Sequence, residues 1–338
     1  MKVYRPTSKK PSEAAAAPVA ESVRQTRRPQ AKRSVWWNLL RSFLGVVTFL
    51  GLLIFLAGLG LWMVYDHFSQ DLPPIGALKQ EYRPPTVSYF YAEDGKTVIG
   101  EFCREHRLVV PMDQIPRRVI MAFVAAEDAN FFNHPGFDLS GIIRAFVRNT
   151  EAGRIVQGGS TITQQVTRAF LLSKEKSYGR KIREAILSYR LEQNLTKDEI
   201  LYLYLNQIYL GHGSYGVESA ALNYFGKHVG ELSLAEAALI AGLASAPAKY
   251  SPVHDPEMAR SRQRYVLHRM ITAGFLTSEE AEKAWAEKLE FKERPNLNLT
   301  VCPQFTEHVR RTVEAMLGAK SLYEEGLRVY TTVNLQLQ

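Results

Sequence analysis

The sequence predicts a mainly α-helical body that follows a single transmembrane helix. Residues 43–65, FLGVVTFLGLLIFLAGLGLWMVY, form an uncharged apolar run of 23 residues. At about 1.5 Å per residue, such a run is long enough to cross a hydrocarbon layer about 30 Å thick. The chain takes on helical character from about Ile115 to about Lys288. Glycine-rich stretches at 152–160 and 211–216 interrupt the helices and predict two loops.

The 42 residues before this run hold the net charge of the whole chain. They contain ten Lys and Arg side chains against two Glu, whereas the remaining residues contain 32 basic and 32 acidic side chains. Positively charged flanks stay on the cytoplasmic side, so we expect residues 1–42 to be a cytoplasmic tail and the body to lie outside the inner membrane. A neutral body argues against nucleic acid as a partner. The run is too long for a cleaved signal peptide, and a buried helix of a soluble domain is the remaining alternative.

Residues 66–94 are interpreted as a linker that ends in the start of a β-hairpin. The prolines of QDLPPIGALKQEYRPP, residues 70–85, are typical of a stiff spacer. In TVSYFYAEDGKTVIGEF, residues 86–102, apolar and polar side chains alternate around an Asp-Gly turn. This pattern predicts a short hairpin.

Capping residues predict three helix starts in the body. Thr196 and Ser233 each stand three positions before a glutamate and ahead of an apolar run, which is the pattern of a capping box. Asp255 before Pro256 supplies a cap and a proline at the first helical position, and Gly274 can end that helix.

The stretch AAEDANFFNHPGFD, residues 125–138, places a carboxylate on an apolar helix face. Ile120, Phe123 and Glu127 stand at i, i+3 and i+7 and therefore lie on one side of a helix. Burial disfavours the charged form of a carboxyl group, so we expect a raised pKa for Glu127. A raised pKa suits a general base that works near neutral pH.

A second carboxylate, Glu184, has the opposite surroundings. Arg180 and Lys181 precede it by four and three residues, so both cations are its neighbours on a helix surface. They should keep Glu184 ionised. Two carboxylates in such different settings indicate separate acid and base roles. For the Arg180–Glu184 pair alone, a solvated surface pair without a function is the commoner explanation.

The stretch GGSTITQQVTRAF, residues 158–170, predicts a capped helix start that could bind an anion. Ser160 is a candidate cap, and free N–H groups at a helix start attract phosphate. Thr161, Gln165 and Arg168 follow at i, i+4 and i+7 as a polar stripe. An ordinary capped helix without a ligand is the alternative.

Several other polar residues carry weaker signals. His134 could be a ligand or a base, but a histidine near a turn is more often a structural hydrogen-bonding group. Residues 173–176, SKEK, match the Ser-x-x-Lys pattern of acyl-enzymes without its partner motifs, which indicates chance. Cys103 and Cys302 fit no metal or redox motif, and whether they pair is left open.

Five ordered motifs resemble the peptidoglycan glycosyltransferase domain of class A penicillin-binding proteins. They are EDANFFNHPGFD, QGGSTITQQVTRAFL, RKIREA, LNQIYLGHGSYGVESAALNYFGK and LSLAEAALIAGLASAPAKYSP. The resemblance covers about residues 95–275 and implies a lysozyme-like fold with a small membrane-proximal jaw. The ending EEGLRVYTTVNLQLQ resembles the junction into a transpeptidase domain. Residues 276–338 are therefore expected to be a linker toward a transpeptidase domain whose motifs the chain lacks.

The resemblance implies an enzyme that polymerises lipid II. Glu127 would be the general base that takes a proton from the 4-hydroxyl of the acceptor sugar. This oxygen attacks the anomeric carbon of the donor, which inverts and loses undecaprenyl pyrophosphate. Glu184 would handle the pyrophosphate, directly or through a divalent cation such as Mg²⁺ or Mn²⁺, and no organic cofactor is implied. The residues that the resemblance assigns to substrate binding are Asp128, Phe131, His134, Ser160, Thr161, Gln164, Gln165, Arg168, Arg180 and Lys181.

One position departs from the family pattern. Arg168 stands where the family usually has lysine, and a guanidinium binds phosphate with a different geometry from an ammonium.

The implied partners are lipid II, the growing glycan strand, membrane lipids and other proteins of cell-wall synthesis. Residues 141–147, GIIRAFV, are expected to contact the membrane. A glycan-cleaving enzyme of lysozyme-like fold and a non-catalytic membrane scaffold remain as alternatives.

Overall fold

The computed structural model describes residues 35–70, 72–73, 75, 84–153, 158–171, 178–292 and 294–338. Most of the basic tail, much of the proline-rich spacer and the SKEK stretch lie outside these residues. The chain divides into two compact units, residues 1–62 and 63–338.

Helix α1, Val35–Ser69, contains the predicted transmembrane run. Its large apolar side chains are exposed along its length. Among the described residues, it is the one helix that is long and apolar enough to cross a membrane. A helix of 35 residues with an apolar surface on all sides matches the length and the chemistry of a bilayer.

The predicted hairpin is present. Strands β1, Ser88–Tyr91, and β2, Val98–Phe102, pair antiparallel. Between them, the Asp94 carboxylate accepts hydrogen bonds from the N–H groups of Lys96 and Thr97 at 2.9 and 2.8 Å. This side chain fixes the turn, because aspartate can bond to the backbone that follows it.

Residues 276–338 are folded, which differs from the linker expected there. Helix α10, Ser278–Ala286, is followed by α11, Leu297–Thr300, by α12, Pro303–Glu324, and by strand β5, Arg328–Tyr330. β5 pairs parallel with β1 and completes a three-stranded sheet. The reason is an apolar surface shared by the hairpin and this segment, which forms a second core from Phe90, Ala92, Ile99, Phe102, Cys302, Val313, Leu322 and Val333. Cys103 and Cys302 are free thiols.

The body between these segments is helical, as the sequence predicts. Its helices are α2, Arg117–Glu127; α3, Leu139–Ala152; α4, Ile162–Leu171; α5, Tyr178–Asn194; α6, Lys197–Gln207; α7, Val217–Phe225; α8, Leu234–Leu243; and α9, Pro256–Thr272. Two short strands, β3, His106–Arg107, and β4, Ser214–Tyr215, pair parallel beside them. Helix α8 is buried at every position from Ala235 to Leu243 and packs against α2 and α9. The main core therefore surrounds α8.

The predicted helix ends are confirmed. Thr196 and Ser233 each form a capping box with the glutamate three residues later. The Asp255 carboxylate accepts a hydrogen bond of 2.9 Å from the N–H of Met258 at the start of α9. Gly274 follows that helix with a positive φ of 74°, the conformation that favours glycine after a helix.

Candidate active site

Glu127 is the last residue of α2, where the chain leaves the helix for the loop that follows. Its carboxylate Oε2 accepts a hydrogen bond of 2.9 Å from Nε2 of Gln165 on α4. Burial raises the pKa of Glu127, while the bond from Gln165 and the charges of Arg262 and Arg168 lower it. The net direction is upward, as the apolar helix face predicts.

Asp128 ties this loop to the start of α4. Its Oδ2 accepts a hydrogen bond of 3.0 Å from the N–H of Ile162 and lies 2.9 Å from Nε2 of His134. The N–H of Gly136 donates to Nδ1 of His134 at 3.1 Å. Since Nδ1 is the acceptor, Nε2 holds the hydrogen and donates it to Asp128. His134 is thus a buried structural link in this structure.

Gly136 lets the loop approach α5 closely. Its φ is 99°, and a Cβ at this position would lie 2.6 Å from the carbonyl oxygen of Ser188. On the other side, the Thr161 hydroxyl donates a hydrogen bond of 2.7 Å to the carbonyl of Gly136. The loop between α2 and α3 therefore packs closely against α5 and is bonded to the residue that caps α4.

The start of α4 differs from the prediction. Thr161, and not Ser160, is the cap: its Oγ1 accepts from the N–H of Gln164 at 3.1 Å, and the Gln164 side chain accepts from the N–H of Thr161 at 3.1 Å. The N–H of Ile162 is bonded to Asp128. The prediction that the helix start offers free N–H groups to a phosphate is wrong for Ile162 and Gln164. The physical reason is that the Asp128 carboxylate already binds the N–H of Ile162 and the Thr161 hydroxyl already binds that of Gln164.

Glu184 lies on α5 and is fully buried. Lys181 Nζ donates a hydrogen bond to its Oε1, and the Arg180 guanidinium lies 3.3 Å from its Oε2. Lys181 also donates to the hydroxyl of Ser160 at 2.9 Å. This arrangement is not the solvated pair of an ordinary helix surface. A buried carboxylate between two cations holds both cations in fixed positions.

Glu127 stands between two cavities lined with cations. The first, here named the Arg144 cavity, has a volume of about 490 Å³ and includes Arg144, Arg148 and Arg269. The second, the Arg168 cavity, has a volume of about 450 Å³ and is lined by Glu127, Ser160, Gln165, Arg168, Lys249, Tyr250, Arg262 and Arg269 among others. A larger cavity of about 530 Å³ beside Glu101 and His106 includes no predicted site residue.

Apart from Glu127 itself and the cluster of Glu184, Arg180 and Lys181, which lines neither cavity beside Glu127, the predicted site residues divide into two groups. Among the described cavities, the two beside Glu127 include Asp128, Ser160, Thr161, Gln165 and Arg168 in their walls. The other group is buried and lines neither of these two cavities, and it comprises Phe131, His134 and Gln164. A role for that group in substrate binding stays a prediction.

Sequence reasoning missed the cations of α3 and α9. Arg262 and Arg269 are seven residues apart and share one face of α9. Arg269 Nε donates a hydrogen bond of 3.2 Å to the carbonyl of Ala125, two residues before Glu127. The seven-residue spacing of Arg262 and Arg269 is visible in the sequence, but cations at such a spacing usually form the solvated face of a helix and do not by themselves indicate a site.

The N-terminal half of α3 exposes an apolar face. Leu139, Ile143 and Phe146 are 64%, 65% and 71% exposed. They include part of the stretch 141–147 that the sequence predicts as membrane-contacting. Arg144 lies on the same helix and lines the Arg144 cavity, so α3 has both an apolar face and a cationic one.

Comparison with known proteins adds a family match. The family model described as Transglycosylase matches residues 95–271. Penicillin-binding protein 1A of Rickettsia bellii (strain RML369-C) is 42% identical over 292 residues, which are 85% of this chain and 36% of that protein. Penicillin-binding protein 1A of Aquifex aeolicus (strain VF5) is 43% identical over 303 residues, 89% of this chain and 40% of that protein. The chain thus spans well under half the length of these curated relatives.

A solved structure is also similar. The crystal structure of penicillin-binding protein 1A from Haemophilus influenzae has 28% sequence identity and a TM-score of 0.44. The alignment covers 75% of this chain and 27% of that chain.

Proposed function

Because the chain belongs to the transglycosylase family, we propose that it is a peptidoglycan glycosyltransferase that polymerises lipid II and releases undecaprenyl pyrophosphate. The observation that carries this proposal is the position of Glu127. It is a desolvated carboxylate between two cationic cavities. A third set of cations, Arg180 and Lys181, is held by Glu184, and Lys181 bonds to Ser160, which lines both cavities.

Glu127 fits the role of general base. A sugar hydroxyl is a weak acid, so its attack is helped by a group that accepts the proton as the new bond forms. Burial raises the pKa of Glu127 toward the working pH and strengthens it as a base. The acceptor 4-hydroxyl would give its proton to Glu127 as its oxygen attacks the anomeric carbon from the face opposite the leaving group. Inversion follows from that geometry.

The cations fit a pyrophosphate leaving group. Charge-assisted hydrogen bonds from Lys and Arg stabilise the negative charge that develops on the departing oxygen. Lys181 is 48% exposed although its ammonium is bonded to the buried Glu184, so the cation is both fixed and accessible. Arg168 lines the cavity on the same side as Gln165 and adds a further charge.

The surroundings of Glu184 do not fit a resident divalent cation, because its carboxylate oxygens are already in use. Both of its oxygens are bonded to side-chain cations, Lys181 and Arg180. In the described part of the chain, no three His, Cys, Asp or Glu side chains group in a way that could hold a metal ion. We therefore assign Glu184 the role of positioning Arg180 and Lys181.

The chain is membrane-anchored through α1, and both of its proposed substrates carry long lipid tails. We propose that the basic tail is cytoplasmic and that the catalytic body lies outside the inner membrane, since positive residues remain inside. The exposed apolar side chains Leu139, Ile143 and Phe146 would contact membrane lipids. Other proteins of cell-wall synthesis are proposed partners on the resemblance alone.

A glycan-cleaving enzyme is the second candidate, because a half-buried glutamate is also the acid of a lysozyme-like site. The cations around Glu127 argue against it, since cleavage of a glycan releases no pyrophosphate. A non-catalytic scaffold has no need for a desolvated Glu127. The test is to supply the full chain in detergent with lipid II and, separately, with preformed glycan. We expect polymer from lipid II and no shortening of the glycan; the reverse result would overturn the proposal.

A further inference from the structure

Lys197, the first residue of α6, lies outside both cavities beside Glu127 and yet reaches the loop that follows Glu127. Its ammonium donates a hydrogen bond of 2.8 Å to the carbonyl of His134 and another of 2.7 Å to Oε1 of Glu192 on α5. It also lies 4.4 Å from the centroid of the Phe131 ring. One side chain thus joins two helices to the loop.

The contacts of Lys197 belong to a closed series of hydrogen bonds, here named the ring. Glu192 Oε1 also accepts a hydrogen bond of 2.6 Å from the hydroxyl of Thr163 on α4. The residue before Thr163 is Ile162, whose N–H is bonded to Asp128, and Asp128 is bonded to His134. The ring therefore runs from the loop through α6, α5 and α4 and returns to the loop.

The ring is costly to open because its charges are withdrawn from water. The Glu192 side chain is 6% exposed and that of Lys197 is 23% exposed. Removal of the ammonium would leave a nearly buried carboxylate without its cation, which is strongly destabilising for a buried pair. The Phe131 face adds a cation–π contact on the inner side.

The ring connects α4 to the loop that follows α2. The loop begins directly after Glu127, and α4 carries Gln165, whose amide donates to the Glu127 carboxylate. We propose that Lys197, through Glu192 and Thr163, is a positioning residue that holds Gln165 and Glu127 in register for proton transfer. This inference rests on the proposed function, and Lys197 itself would not touch the substrate.

Loss of the ring should raise the pKa of Glu127. Gln165 lowers the pKa of Glu127, so a looser α4 should let that pKa rise. The base must be ionised to act, so the acid limb of the pH–rate profile should move to higher pH. The other charged or titratable groups that bear on Glu127 are Asp128, Arg168 and Arg262. Tyr204 of α6 also faces the Glu127 and Asp128 charges.

The test compares lipid II polymerisation by the full chain and its variants between pH 5 and pH 9. Lys197→Met and Thr163→Val open the ring at different points. We expect each to lower kcat about 10- to 100-fold, the scale for a small misplacement of a catalytic group, with little change in KM. Lys197→Arg and Thr163→Ser keep a donor and should retain most activity. If Lys197→Met does not fold, Thr163→Val and Lys197→Arg decide the question.

A matched control separates positioning from stability. Lys227→Met removes a lysine that is bonded at 2.7 Å to a nearly buried glutamate, Glu236, away from both cavities beside Glu127. It should lower the melting temperature without moving the acid limb. An unmoved acid limb in Lys197→Met, or the same movement in Lys227→Met, would overturn the inference.

A readout without substrate keeps this inference separate from the proposed function. The Glu127 carboxyl can be followed by carbon NMR of glutamate-labelled chain in micelles, with the Glu127→Gln spectrum as assignment. Its titration midpoint should rise in Lys197→Met. An inactive wild-type chain would refute the proposed function, whereas an unchanged midpoint would refute the positioning role.

Discussion

The side-chain amide of Gln165 donates a hydrogen bond of 2.9 Å to Oε2 of Glu127 across the junction of α4 and α2. Burial makes Glu127 a stronger base, and this bond limits how far its pKa rises. The bond also fixes which oxygen is held and which is left for a substrate proton. The two residues together set both the strength and the direction of the proposed base.

Glu127→Gln should lower polymerisation of lipid II about 10²- to 10⁴-fold, the usual contribution of general acid–base catalysis. The fold should survive, because an amide costs less to desolvate than a carboxylate. A raised pKa in the folded state means that ionised Glu127 destabilises the fold above the ordinary pKa of a glutamate. The melting temperature of Glu127→Gln should therefore equal or exceed that of wild type at pH 7, and the gain should vanish near pH 4. Turnover and melting are measured on the same sample, and normal turnover would disprove the catalytic role.

Gln165→Leu should move the acid limb of kcat/KM to higher pH. The bond from Gln165 lowers the pKa of Glu127, so its removal raises that pKa and the ionised base appears only at higher pH. The pH–rate profile of lipid II polymerisation measures this change. Gln114→Leu, at an exposed glutamine outside the site, serves as the control and should keep the wild-type profile. A Gln165→Leu profile that coincides with wild type would show that this hydrogen bond does not tune the base.

Arg168→Ala should weaken the use of lipid II as donor by about tenfold or more, because a charge-assisted hydrogen bond to phosphate contributes about 1.5–3 kcal/mol. Arg168→Lys should keep most of the activity, since it preserves the charge. Arg264→Ala, an exposed arginine on α9 that lines neither cavity beside Glu127, is the matched control. Wild-type KM for lipid II in Arg168→Ala would exclude a contact of this arginine with the pyrophosphate.

Glu184→Gln should reduce turnover and also destabilise the fold. Removal of the buried charge leaves Arg180 and Lys181 without the carboxylate that holds them, at a cost of about 1–3 kcal/mol for lost charged hydrogen bonds. Because both oxygens of Glu184 are bonded to side chains, added Mg²⁺ or Mn²⁺ should not restore the activity of the variant. Activity is measured across a metal titration and after chelation. Rescue by the divalent cation would show that Glu184 is a metal ligand.

The local features of the fold could be predicted, because their signals lie within a few residues. The capping boxes at Thr196 and Ser233 and the turn at Asp94 are examples. The box at Thr161 shows the same pattern, with Gln164 three positions later, but Ser160 directly before it is also a good cap by residue type. The choice between them depends on where the helix begins, which a short stretch does not settle.

Contacts between distant parts of the chain could not be predicted in this way. The bond from Ile162 to Asp128 joins residues 34 positions apart, and the N–H of Leu327 reaches the hydroxyl of Ser88 across 239 positions. The periodic pattern of apolar residues along a sequence does not indicate which distant residues will be in contact. For the site, the two acids and the cations near Glu184 followed from spacing, whereas the cations of α9 required the packing of that helix against α2.

Asp128 at the start of α4 has a consequence for how a donor is held. Because Asp128 already binds at that helix end, the proposed pyrophosphate would be held mainly by side-chain cations, of which Lys181 and Arg168 are partly solvated, and not by the N–H groups of Ile162 and Gln164. Attraction between exposed charges is screened over about 8 Å at physiological ionic strength. Affinity for the proposed donor should therefore fall as salt is added, and the ionic strength around the catalytic body, unlike the concentration of a neutral osmolyte, would then alter the rate of polymerisation.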